Sequence, residues 1–134
     1  MKGGLYVAVA VVGLAAAAPA MAHHAHAMYA TDTEIVLEGT VKEMRWMNPH
    51  SWMYIVVPGA KGAQPKTWAF EGAATGQLVR KGWTRDSVKP GDKIKIACWP
   101  LRNGSEGCLG GYVLEVNGTA LPPSQEKHAG REFD

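Results

Sequence analysis

Beyond residue 34, every apolar run is short, rich in β-branched or aromatic residues, and cut off by a turn signal, a pattern that points to a small all-β fold. Trp52 to Val57 is an unbroken run of this kind, stopped by Pro58-Gly59. Ile35 to Trp46 alternates in part, with Ile35, Leu37 and Val41 on one face and Gly39 at a candidate bend or bulge. After a polar loop over 59–65, Lys66 to Glu71 reads as a third strand around Trp68 and Phe70. One short helix is expected over about Ala73 to Lys81, stopped by Gly82. Pro90-Gly91 then launches Lys93 to Cys98, and Tyr112 to Val116 follows, with Asn117-Gly118 turning the chain into Thr119 to Leu121. Three strands, a helix and two strands, without a βαβ alternation or a repeat, are the order of a five-stranded OB-like barrel whose helix plugs one end. A small open sandwich is the alternative arrangement.

The chain starts with a different kind of segment. Lys2 is followed by an apolar stretch from Leu5 to Ala18 and by Ala20-Met21-Ala22, the order of parts in a signal peptide cleaved before His23. That stretch is shorter than the roughly 20 residues that span a bilayer as a helix, which disfavours an uncleaved anchor. Residues 1–22 are thus expected to be a signal peptide, 23–33 a flexible His-containing arm, 34–121 the barrel and 122–134 a loose tail. The product would be periplasmic or secreted. Lys2 is the only charge in the leader, so the remaining residues are close to neutral, with 13 basic against 12 acidic groups. No basic cluster invites nucleic acid or anionic lipid, and the protein is expected to be a monomer with no stable membrane insertion.

Cys98 and Cys108 are the only cysteines. In an exported chain an even pair is read as a disulfide, here across turn-forming Pro100, Asn103, Gly104, Ser105 and Gly107. A metal-binding or redox dithiol is the other reading, though the spacing is not Cys-x-x-Cys.

Two places offer metal chemistry. Cleavage before His23 would expose His23-His24-Ala25-His26, where an α-amine and imidazoles suit Cu(II), zinc or nickel. The plainer reading is an exposed arm that binds metal incidentally. The second place is Met44 to Met53. If Asn48-Pro49-His50 is a three-residue hairpin tip, Trp46 and Trp52 face each other, and Met47 and Met53 share the other face as diagonal neighbours. Thioethers with His50 between them are a soft set that selects Cu(I). The alternative is that the Met and Trp residues are core and that His50 bonds a turn carbonyl.

Several of these residues also carry a resemblance. Ala22-His23-His24, Gly39-Thr40-Val41, Trp46 with Asn48-Pro49-His50, Gly82-Trp83-Thr84-Arg85-Asp86 and Lys89-Pro90-Gly91-Asp92 together resemble a family of small secreted bacterial proteins of uncharacterised function. The likeness covers nearly the whole chain after the leader, with Trp-x-Asn-Pro-His its most specific element. It implies export and a small β-barrel and supplies no activity. His26 and the cysteine pair depart from the usual form of that family. In ingredients alone (one His, two Met and a Trp on a small barrel), the chain is also similar to periplasmic OB-fold copper chaperones, with the order of residues different.

Catalysis is not expected. No nucleophile–base set stands out, Asp86 and Asp92 sit in turn or cap contexts, and Glu71 ends a strand with no obvious partner. Gly110-Gly111 precedes a strand, so it makes no helix-terminus anion site. The sequence therefore points to an exported binding protein with a copper ion as the leading ligand and a periplasmic protein as a possible partner. A metal-free module that binds a protein or glycan through Trp46 and Trp52 is the alternative.

Overall fold

The computed structural model describes residues 27–120. The strands are β1 (Ile35–Arg45), β2 (Trp52–Val57), β3 (Lys66–Glu71), β4 (Lys93–Pro100), β5 (Gly107–Val116) and the two-residue β6 (Thr119–Ala120), with one helix, α1 (Thr75–Arg80), between β3 and β4. β1, β2 and β3 form an antiparallel meander, and β4 pairs antiparallel with both β1 and β5. The sheet closes where β3 and β5 run parallel, Ala69 to Gly107, Phe70 to Cys108 and Glu71 to Leu109. The result is a closed five-stranded OB-like barrel, with β6 added at one edge.

Closure depends on β1 serving two neighbours. Its first half, Ile35 to Thr40, pairs with β4, and its second half, Thr40 to Arg45, pairs with β2. The strand must bend between them, and the register shift falls between Val41 and Glu43, so the bulge is at Lys42 rather than at Gly39. Gly39 serves the bend differently. A Cβ there would sit 2.5 Å from the Val56 carbonyl oxygen, so only glycine lets the two backbones approach this closely.

Alternation then fills the interior. Val41, Met53, Ile55, Phe70, Ile94, Ile96, Cys98, Cys108 and Val113 all point inward and pack together. Ile55 is fully buried and Ile96 nearly so, each worth about 1.5–3 kcal/mol relative to exposure. The helix expected over 73–81 is shorter, and it ends at Gly82 as foreseen. The Gly82 N–H bonds the Val79 carbonyl at 2.9 Å and the Trp83 N–H bonds that of Leu78 at 3.0 Å, the Schellman pattern, with Gly82 at φ 86°. Val88, from the loop after α1, joins the barrel core and Trp83 packs against it, so that loop takes the plugging role expected of the helix, whose buried Leu78 lies outside this cluster.

β4 and β5 run further than the sequence pattern suggests, through Pro100 and from Gly107, leaving a turn of only 101–106. Glycines 107, 110 and 111 read as turn chemistry in isolation. In the fold this stretch is held on two sides, by β4 and by the parallel neighbour β3. The disulfide between Cys98 and Cys108 is formed, and both cysteines lie in the barrel core.

Candidate functional site

The candidate site is at the barrel end where the β1–β2 loop, the last residue of β3 and the segment before β1 meet. Arg45 pairs with Trp52, so the connection is a six-residue loop, 46–51, and not the three-residue tip expected from sequence. The Asn48–Pro49 peptide in it is cis. The loop is tied to the chain following β3. Asn48 Oδ1 accepts hydrogen bonds from the backbone N–H and the hydroxyl of Thr75, both at 3.0 Å. Ser51 is buried, its hydroxyl donates to the Ala73 carbonyl at 2.8 Å, and its own carbonyl accepts from the Gly72 N–H at 2.8 Å. Gly72 is required there, because a Cβ would lie 2.7 Å from Ser51 Oγ.

His50 is held between these two ties. Its Nδ1 lies 3.1 Å from Glu71 Oε1, and Glu71 Oε2 accepts the Tyr29 hydroxyl at 2.8 Å. The Glu71 side chain is only 12 % exposed, whereas that of His50 is 37 % exposed and open to a ligand. Tyr29 is buried against Trp99, Leu109 and Leu101 in a small apolar cluster separate from the barrel core. Burial, and then the bond to Glu71 and its charge, push the Tyr29 phenol well above its ordinary range, so it remains a protonated donor. Residues 27–33, expected to belong to a loose arm, are therefore partly anchored. Tyr29 pairs with Leu101, the Ala30 N–H bonds the Pro100 carbonyl, and the Arg102 N–H bonds that of Met28.

The two methionines foreseen around His50 lie in different settings. Met53 pairs with Met44 and Phe70, shares the inward parity of Ile55 and is 8 % exposed in the core. Met47 lies in the loop and is 47 % exposed. The diagonal that would have joined them assumed a tight hairpin, and the six-residue loop removes it. For the same reason Trp46 does not face Trp52. Both indoles are half-buried, and Trp52 stands between Arg45 and Glu71 in the sheet, sharing its face with Tyr54. The Arg45 guanidinium lies 5.0 Å from the centre of the Tyr54 ring. The remaining candidates, His23, His24 and His26, fall outside the described residues.

Two residues that sequence reasoning passed over complete the arrangement. Glu71, read as partnerless, has two partners, and Tyr29 was grouped with a polar arm. The available signals were slight: an acid directly after the apolar Trp68-Ala69-Phe70 at the end of β3, and a tyrosine between the leader and β1. Among the described residues no three His, Cys, Asp or Glu side chains converge as a metal-holding group. The bonded cysteines offer no thiolate. Asp92 takes the local role expected of it, accepting from the Lys89 N–H at 2.8 Å and the Asn117 side-chain amide at 3.0 Å. The site thus contains one imidazole oriented by a carboxylate, beside an exposed rim.

The profile of DUF6152, a family of unknown function, matches residues 10–110. The chain belongs to this family. The matched stretch includes β1 to β4, the start of β5 and every residue of the His50–Glu71–Tyr29 arrangement, so within DUF6152 the site lies on the shared part of the chain. Comparison with curated proteins and with solved structures returned no match.

Proposed function

We propose that this DUF6152 protein is an exported, non-enzymatic barrel that binds copper through nitrogen ligands, with His50 as the fixed one. The observation that carries the reading is the Glu71 carboxylate 3.1 Å from His50 Nδ1. A carboxylate on one ring nitrogen favours the tautomer that carries its proton there, which leaves the Nε2 lone pair for a metal. His23, His24 and His26 would supply further imidazoles, and cleavage before His23 would add an α-amine. A nitrogen-rich set favours Cu(II), whereas the burial of Met53 in the core, with only Met47 exposed, weakens the case for a two-thioether Cu(I) site.

The test is a competition titration of the chain beginning at His23, with Cu(II) in air and Cu(I) under anaerobic conditions, beside a His50→Ala variant. The expected result is one tightly held Cu(II) per chain, with affinity lowered by about tenfold or more in the variant, on the order of 1.4 kcal/mol. Binding no tighter than that of a histidine-tagged control protein would overturn the copper reading.

A metal-free reading has its own support. Trp52 and Tyr54 project from the same face of β2 with Arg45 beside them, an aromatic surface with polar flanks that suits a glycan or a protein partner. A Trp52→Ala variant that loses glycan or partner binding while leaving copper affinity unchanged would favour it.

A further inference from the structure

We infer that a groove at the far end of β2 from His50 binds a small aliphatic zwitterion, with its carboxylate at Lys93 and its ammonium at Glu38. The groove shares no residue with the copper reading and stands independently of it. β2 begins just after His50 and ends at Val57, and the next residue, Pro58, forms one side of a groove of about 380 Å³. The outer faces of β1, β4 and β5 form the rest. Glu38 pairs with Lys95 and Lys95 with Glu115, so these three side chains make one row across the strands. Thr40 pairs with Lys93 two residues along, a second row on the same face. The Asn117-Gly118 turn bounds the groove and leaves it open, since a Cβ on Gly118 would meet nothing within 4 Å.

The two rows carry opposite charge imbalances. Lys95 Nζ lies 3.3 Å from Glu38 Oε1 and 3.9 Å from Glu115 Oε1, so one ammonium serves two carboxylates and the row keeps a net negative charge. The Glu38 side chain is 70 % exposed and can accept a further donor. Lys93 Nζ donates to the Thr40 hydroxyl at 2.7 Å, which fixes the ammonium without neutralising it and leaves two of its three donors. Among the described residues no carboxylate lies within 4.0 Å of it. The neighbouring Asp92 accepts instead from the Lys89 N–H and the Asn117 amide. Lys93 and Lys95, alternate residues of β4, stand about 7 Å apart along the strand. A ligand that balances both rows therefore carries an anion and a cation at about that separation. A carboxylate and an ammonium joined by four methylenes span about 6 Å when extended, whereas the adjacent charges of glycine reach only one row.

The experiment is a heteronuclear NMR titration of the protein with 5-aminopentanoate, and with pentanoate, pentylamine and glycine as comparators. The expected result is saturable shifts of the Thr40, Lys93 and Gly118 amides by 5-aminopentanoate, with a dissociation constant on the order of 1 mM for so small a ligand. Each comparator binds about fivefold or more weakly, because it engages one row only. The variants separate the two poles. Lys93→Met keeps the aliphatic stem and should bring 5-aminopentanoate level with pentylamine. Glu38→Gln leaves Lys95 and Glu115 balanced and should bring it level with pentanoate. Both side chains are solvent-exposed, so the fold is expected to persist, checked by unchanged amide positions away from the groove. The absence of saturable shifts at these amides would overturn the inference. So would pentanoate binding wild type as well as 5-aminopentanoate does, or variants that bind like wild type.

Discussion

Replacing Asn48 by Ala is expected to loosen the site without removing His50 or Glu71. The N-cap position of α1 is Ala74, which has no side chain able to cap the helix. Asn48, reaching over from the β1–β2 loop, supplies the missing acceptor to the Thr75 N–H and takes the Thr75 hydroxyl as well. Loss of a helix cap costs about 1 kcal/mol. The hydroxyl bond is solvent-exposed and belongs at the low end of about 0.5–1.5 kcal/mol, so Asn48→Ala should cost about 1.5 kcal/mol in all. With a urea slope of about 1–3 kcal/mol/M, the midpoint should fall by about 0.5–1.5 M, followed by circular dichroism and tryptophan fluorescence. Asn48→Asp keeps the acceptor and puts a negative charge at the start of the helix, so it should stay within about 0.5 kcal/mol of wild type. In NMR spectra, the His50 ring resonances should broaden in the Ala variant and not in the Asp variant. Equal stability of all three proteins, or an Asp variant as damaged as the Ala variant, would show that the loop is held by Ser51 alone and that the cross-chain cap does not matter.

Two further outcomes follow from the fold. The disulfide closes a loop of sequence separation 10, for which the chain-entropy model gives about 2.7 kcal/mol. Urea unfolding with and without reductant should show a loss of that size, and Cys98→Ala/Cys108→Ala a larger one, because two sulfurs also leave the core. A difference under about 1 kcal/mol on reduction would mean that the β4–β5 ladder already restrains the unfolded chain. The second outcome concerns pH. The Asn117 side-chain amide, and then the Lys89 backbone N–H, hold the Asp92 carboxyl below its usual range. Its stabilising effect is therefore complete above about pH 4 and lost as pH falls through the lowered value. Melting curves should show Asp92→Ala less stable than wild type at pH 6, with the gap narrowing as pH falls below about 4. A constant gap across that range would refute the assignment.

The barrel was legible where local chemistry and tertiary role agree. The β-branched run Trp52–Val57, the inward pair Ile94 and Ile96, and the Gly82 stop each mean the same thing in isolation and in the fold. The first half of β5 was not legible, because its glycines have no strand preference of their own and gain strand structure from the parallel contact with β3, whose residues lie 38 positions earlier in the chain. A register error in one loop had wider consequences. Taking Asn48-Pro49-His50 as a tight tip moved Trp46 into the ladder and brought Met47 towards Met53, although the parity of Met53 with Ile55 already pointed it inward.

Loop length also bears on why the site exists at all. A three-residue tip would carry His50 out along the axis of the β1–β2 hairpin, away from β3. Six residues let the loop fold sideways, where Asn48 meets Thr75 and Ser51 meets Ala73, across 27 and 22 positions of sequence. Those ties set His50 beside the end of β3, and only there can Glu71 reach it. The imidazole could be picked out from sequence because histidine at a turn is conspicuous. Its carboxylate and the tyrosine behind it could not, since Tyr29 and Glu71 are 42 positions apart and meet only because the barrel closes between β3 and β5. Orientation of His50 is thus set by the loop ties beside β3, whereas the Tyr29 bond is a product of closure, and a variant that opens the β3–β5 seam should part Tyr29 from Glu71 before it unfolds the meander.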